Sequence, residues 1–114
     1  MIFKILTPAQ HATLLRDGTS PGSPLDVADG FVHLSGADTL QDTLDLHFTA
    51  GTPLVIAEID PDILGDALVW EPSRGGTLFP HLYAPLQSVH IRRHWTVEAG
   101  ADGRYVAFPM RKTQ

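Results

Sequence analysis

Three short stretches of the chain carry the residue types that acid–base or ligand-binding chemistry requires. The first is Phe31-Val32-His33-Leu34-Ser35. Its alternation reads as a strand, with Phe31, His33 and Ser35 on one face and Val32 and Leu34 on the other. A hydroxyl near an imidazole is the pairing of a nucleophile with its base. Residues two apart on a strand, however, lie about 6.6–6.8 Å apart at the backbone with their side chains running parallel. That spacing suits two groups lining one pocket. The plainer alternative is a core histidine with one satisfied partner, and a serine that caps the next helix.

The second stretch is Trp70-Glu71-Pro72-Ser73-Arg74-Gly75-Gly76. A carboxylate at a strand end can act as a general base or accept a ribose hydroxyl. Arg74 has the fork that grips phosphate or carboxylate, and two glycines let backbone approach a ligand closely. Against this stands an exposed Glu–Arg pair on a hairpin loop, worth about 0–1 kcal/mol. The third stretch is Phe79-Pro80-His81-Leu82-Tyr83. His81 and Tyr83 share a face, and aromatic rings beside a histidine suit stacking on a flat ligand ring. A structural bend anchored by Tyr83 is the alternative. Together the stretches give an expected cleft with His33 and Glu71 in catalytic roles. Ser35, Arg74, Gly75, Phe79, His81 and Tyr83 contact the ligand.

Six histidines raise the question of a metal. His90 and His94 are about 13 Å apart if their segment is a strand, too far to share an ion. His11 and His47 fall on different helices without an evident partner, and no spacing motif joins His33, His81 and Glu71. No metal is expected. Phosphate-loop, dinucleotide and nucleophile-elbow patterns are absent.

The elements that must position these residues are legible in outline. Ile2 to Leu6 is a short apolar strand. Thr7-Pro8 opens a helix that Gly18 closes. Thr19 to Pro24 reads as a loop, Pro24 to Ala28 as one helical turn, and Asp29-Gly30 as a turn. Ser35 and Asp38 have capping-box spacing, which predicts a helix from about Ala37 to Phe48. Leu54 to Ile59 and Ala67 to Trp70 are strands, with Glu71 to Thr77 a loop between the latter and an extended His81–Tyr83. Ser88 to Glu98 has a period of two, with Val89, Ile91, Trp95 and Val97 on one face. Asp102-Gly103 is a hairpin turn from which Tyr105 to Phe108 returns as a strand. Helices near the amino end followed by strands predict an α+β fold in one domain, 1–114, with 109–114 frayed.

Composition narrows the chemistry. With 114 residues the chain can bury a core without a metal or disulfide. The absence of cysteine removes thiolate nucleophiles and cysteine-ligated metal sites. A net charge of −5 disfavours nucleic acid as a partner. No apolar run approaches the length of a membrane span, and no leader precedes the first strand, so the expectation is a cytoplasmic monomer with a small-molecule ligand.

Phe3-Lys4-Ile5-Leu6, Asp29-Gly30-Phe31-Val32-His33-Leu34-Ser35, Trp70-Glu71-Pro72 and Phe79-Pro80-His81-Leu82-Tyr83-Ala84-Pro85-Leu86 together resemble the bacterial domain-of-unknown-function family 952, from Ile2 to about Val97. The resemblance implies an ADP-ribosyltransferase-like fold, a bent, mostly antiparallel sheet split around an NAD-sized cleft, with two helices near the amino end. Phe31 to Ser35 is also similar to the His-x-His-Leu-Ser strand of the RNA 2′-phosphotransferases, which share that fold. Phe31 stands in place of the first histidine, and Phe3-Lys4-Ile5 in place of the His-Gly-Thr that grips a nicotinamide ribose. These likenesses imply a nucleotide or ADP-ribose-like ligand, with NAD as the candidate cofactor. The second expectation is a non-catalytic binding module for a metabolite or protein. The third is that the polar strand residues only complete the core.

Overall fold

The computed structural model describes residues 1–49 and 51–108. The tail expected to fray, 109–114, lies outside the described residues, as does the side chain of Arg74. The first strand, β1 (Ile2–Leu6), is buried along its whole length. Helix α1 (Pro8–Asp17) starts from a capping box in which the Thr7 hydroxyl accepts from the Gln10 amide and the Gln10 side chain accepts from the Thr7 amide. It stops at Gly18, whose φ of 76° is open mainly to glycine. After β2 (Thr19–Ser20) the same device recurs. Ser23 and Asp26 form the capping box of α2 (Pro24–Asp29). There follow β3 (Val32–His33), β4 (Ser35–Gly36), α3 (Leu40–His47) and β5 (Leu54–Ile59). A 3₁₀ segment leads into β6 (Leu68–Ser73), β7 (Thr77–Leu82), β8 (Leu86–Gln87) and β9 (Ile91–Val97).

The architecture is α+β, and every strand pairing among the described residues is antiparallel. Among the described residues the strands form three hydrogen-bonded sheets. They run β4-β1-β5-β9, β3-β7-β6 and β2-β8. The four-stranded sheet is the partition of the molecule. Leu14 of α1 joins Ile2, Leu6, Val55 and Ile59 over one face. Leu40 and Leu44 of α3 join Phe3, Ile5 and Ile56 over the other. Among the described residues there are three α-helices rather than two, because the turn read at Pro24 closes into α2.

Several differences from the sequence reading have identifiable causes. Phe31, His33 and Ser35 do not share one strand. The ladder between β3 and β7 reaches Leu34, whose amide donates to the Pro80 carbonyl. Proline has no amide hydrogen to return the bond, so the pairing ends there and Ser35 crosses to pair with Phe3 on β1. Ser35 does not cap α3 either. Its hydroxyl donates to Thr43 Oγ1, and the helix begins later, at Leu40. Glu71 lies inside β6, not in a loop after it. The hairpin turn is displaced to Arg74–Gly76, where Gly75 and Gly76 have φ of 69° and 88°. Pro72 is tolerated because β6 is an edge strand. In β9 a bulge sets Ile91 opposite Ile59 while Arg93 stays opposite Glu58. One extra residue reverses the alternation, so Ile91 packs on the α1 face and not beside Trp95 and Val97. The segment at 105–108 is not a strand. The Gln41 amide bonds the Tyr105 carbonyl and the Ala107 amide, as a neighbouring strand would. Thr19 and Ser20, expected in a loop, pair with Gln87 and Leu86.

One buried ion pair ties these parts together. Lys4, alone among apolar neighbours on β1, places its Nζ 2.7 Å from Asp26 Oδ2, and both side chains are buried. Asp26 also accepts from the amides of Ser23 and His33 and from His33 Nδ1 at 2.6 Å. A side chain at Gly22 would collide with the same carboxylate. Burial works to raise the Asp26 pKa, but the charge and hydrogen bond of Lys4 and the two bonds from His33 hold it below its ordinary value of 3.8. Burial pushes the Lys4 amine down despite that partner.

Asp26→Ala leaves Lys4 as an uncompensated buried charge and is expected to cost about 3–5 kcal/mol in urea unfolding. The depressed carboxyl adds stability that is complete above 3.8 and is lost as the pH falls through its lower folded value. The variant should therefore lack that part of the acid slope. A loss under about 1 kcal/mol at neutral pH would mean that the pair does not organise the fold.

Candidate functional site

The three-stranded sheet sets the site by register. His33 on β3 is the direct cross-strand partner of His81 on β7. Glu71 on β6 is the partner of Phe79, one diagonal step from His81. Phe31, His33, Phe79, His81, Tyr83 and Glu71 therefore point to one side of this sheet. The His33 and His81 ring centroids are 5.7 Å apart, and Phe31 stacks on His81 at 4.0 Å.

Each imidazole is held by carboxylate. His81, nearly buried, has its Nδ1 2.8 Å from Glu71 Oε1, and the Tyr83 hydroxyl donates to the same oxygen at 2.6 Å. These hydrogen bonds, from Tyr83 first and then His81, hold the Glu71 carboxyl below its ordinary value, and they raise the Tyr83 phenol. An ionised carboxylate only accepts, so Nδ1 of His81 carries a proton and Nε2 is left for other partners. His33 is engaged on both edges. Nδ1 faces the buried Asp26, and Nε2 lies 2.9 Å from Asp29 Oδ2 on the exposed end of α2.

Both histidines line a cavity of about 590 Å³ between β1, α2, α3 and the three-stranded sheet. Ser35 and Phe79 line it too. Glu71 and Tyr83 lie behind His81 and do not reach the cavity, and Gly75 sits out on the hairpin turn. The cavity thus gathers His33, Ser35, Phe79 and His81 directly, with Glu71 and Tyr83 at one remove. The sequence reading missed Lys4, Asp26, Thr43 and His47, which also line the cavity. Lys4 was the readable signal, since a lysine between Ile2 and Leu6 on a buried strand must find an acid. Nothing local to Thr43 or His47 marks them, because only the packing of α3 brings them round.

The chemistry available is that of a carboxylate-oriented imidazole beside a mostly apolar cavity. Ser35 is no activated nucleophile in this arrangement, because its proton goes to Thr43. Among the described residues no group of three or more histidine, cysteine or acidic side chains is placed to hold a metal. No described helix is long and apolar enough to cross a membrane.

The family model described as "Protein of unknown function (DUF952)" matches residues 5–94. The crystal structure of protein CC0527 from Caulobacter crescentus is 37% identical. Its superposition has a TM-score of 0.90 and covers 99% of this chain and 98% of that one. The solution NMR structure of CC0527 gives a TM-score of 0.82 over 96% and 94% of the two chains, at 37% identity. No curated protein matches the sequence.

Tyr83→Phe removes the first of the bonds that depress Glu71. The Glu71 carboxyl should then titrate at higher pH than in the parent protein, as followed by carbon-detected NMR. The stability linked to this group is present above its ordinary 4.5 and disappears as the pH falls through the lowered folded value, so the variant should begin to lose it at higher pH. An identical midpoint in both proteins would show that the phenol does not bond the carboxylate in solution.

Proposed function

The chain belongs to the family of proteins of unknown function DUF952, and from that premise we propose that its cavity binds a nucleotide or ADP-ribose-like molecule in an ADP-ribosyltransferase-like cleft. The observation that carries this reading is the cross-strand pair of His33 and His81, both facing one cavity. The volume of about 590 Å³ lies within the range of small-molecule clefts, and its lining mixes apolar surface with a few convergent polar groups. In this reading Phe79 stacks against a planar ring and Ser35 meets hydroxyl or phosphate oxygens. His81 offers Nε2 to the ligand as hydrogen-bond partner or acid–base group. Glu71 is a positioning residue that fixes the His81 ring, as the carboxylate does in a catalytic triad. His33 contacts the ligand only if Asp29 gives way. NAD is the cofactor this cleft would accept, with Gly75 beyond its rim.

A second reading, a binding module without turnover, is favoured by Ser35, whose hydroxyl is committed to Thr43 and not to either imidazole. It keeps the ligand class and drops the acid–base step.

Titration of ¹⁵N-labelled protein with ADP-ribose, NAD and mononucleotides should shift the amides of His33, Ser35, Phe79 and His81. His81→Ala should weaken binding by about tenfold or more, equivalent to about 1.4 kcal/mol. Absence of shifts at millimolar ligand would overturn the site. Mass analysis of the ligand after incubation decides between the readings, since a chemically altered ligand contradicts the binding module.

A further inference from the structure

Away from the cleft, α1 and the edge strand β9 bring together two imidazoles that neither the ion pairs nor the cavity use. His11 stands on α1. His94 is the cross-strand partner of Ala57, on the sheet face that α1 covers. Their ring centroids are 4.6 Å apart, with the planes at 53°. Nε2 of His11 is closed to solvent and has no hydrogen-bond partner among the described residues. An unsatisfied buried polar atom costs about 1–3 kcal/mol. A neutral imidazole can instead turn such a nitrogen's lone pair to a cation.

The ring separation falls within the range that a shared ion allows. With metal–nitrogen bonds of about 2.0–2.1 Å, ring centres about 1.1 Å behind the nitrogens and bond angles of roughly 90–109°, two ligating imidazoles have centroids roughly 4.5–5.2 Å apart. We propose that His11 and His94 form a two-imidazole site for a borderline transition-metal cation, Zn²⁺, Cu²⁺ or Ni²⁺, with water completing the coordination. Imidazole nitrogen selects these ions over Mg²⁺ and Ca²⁺, which take oxygen ligands. Two protein ligands do not make the closed four-ligand shell of a structural zinc site. The other close histidine pair lacks a second open nitrogen, because His33 has both ring nitrogens on carboxylates, Nδ1 on Asp26 and Nε2 on Asp29. A bound ion would clip α1 to the edge of the four-stranded sheet and stabilise the folded protein by mass action.

The test is calorimetric titration of untagged protein with Zn²⁺ in a non-chelating buffer. One equivalent should bind, with affinity reduced by at least about tenfold in His11→Gln and in His94→Gln and unchanged in His90→Gln. His94 is exposed, so His94→Gln is expected to keep the parent ¹⁵N spectrum and remains interpretable if His11→Gln is unstable. No saturable binding below about 1 mM Zn²⁺, or an affinity that His94→Gln leaves unaltered, overturns the proposal.

Discussion

The fold depends on a charged pair in a place where charge is expensive. Asp26 is fully buried, and burial of a carboxylate is tolerated only when its lone pairs are filled. Here four donors fill them, from Lys4 on β1, Ser23 at the start of α2, and the amide and ring of His33 on β3. One carboxylate therefore fixes the mutual placement of the first strand, a short helix and the strand that carries the cavity histidine. Lys4 reinforces this by donating also to the His33 carbonyl. A six-residue helix has little stability of its own, so α2 is held chiefly through this anchor.

The cavity is a consequence of that arrangement and of Pro80. Because the β3–β7 ladder cannot continue past Leu34, the chain leaves one sheet and joins another within two residues. The two sheets then diverge from a shared corner, with His33 on one side of it and Ser35 on the other. Hydroxyls from β4 and α3 and imidazoles from β3 and β7 come to line the same hollow, although no single element carries them. Glu71 and Tyr83 supply the outer support that fixes the His81 ring, which is the usual way a site obtains a defined nitrogen in a defined direction.

Local signals made the starts of α1 and α2 legible, but not that of α3, which begins at Leu40. Thr7-Pro8 and Ser23-Pro24 each combine a capping hydroxyl with a proline at the first helical position, and both helices begin there. The strand character of Val32–His33 and of His81 was also readable, and those two strands pair His33 with His81. What depended on distant partners was not. Ser35 changed sheets because of a proline 45 positions later in the chain. Ile91 changed faces because of a bulge visible only from pairing with β5. Tyr105 to Phe108 satisfied its backbone on the Gln41 side chain, which no pattern of alternation can reveal. His11 met His94 because α1 packs across the sheet, a contact that no spacing in the chain marks.

The edge position of Pro72 has a consequence for crowded solution. An unprotected edge strand invites a second chain to add its own hydrogen-bonded strand, the first step toward fibrous assembly. A prolyl nitrogen in β6 deletes one docking point from that template, and the positive-φ glycines at its end turn the backbone away before a longer flat edge can form. The same hairpin that holds Glu71 against His81 thereby discourages sheet-to-sheet polymerisation along this margin.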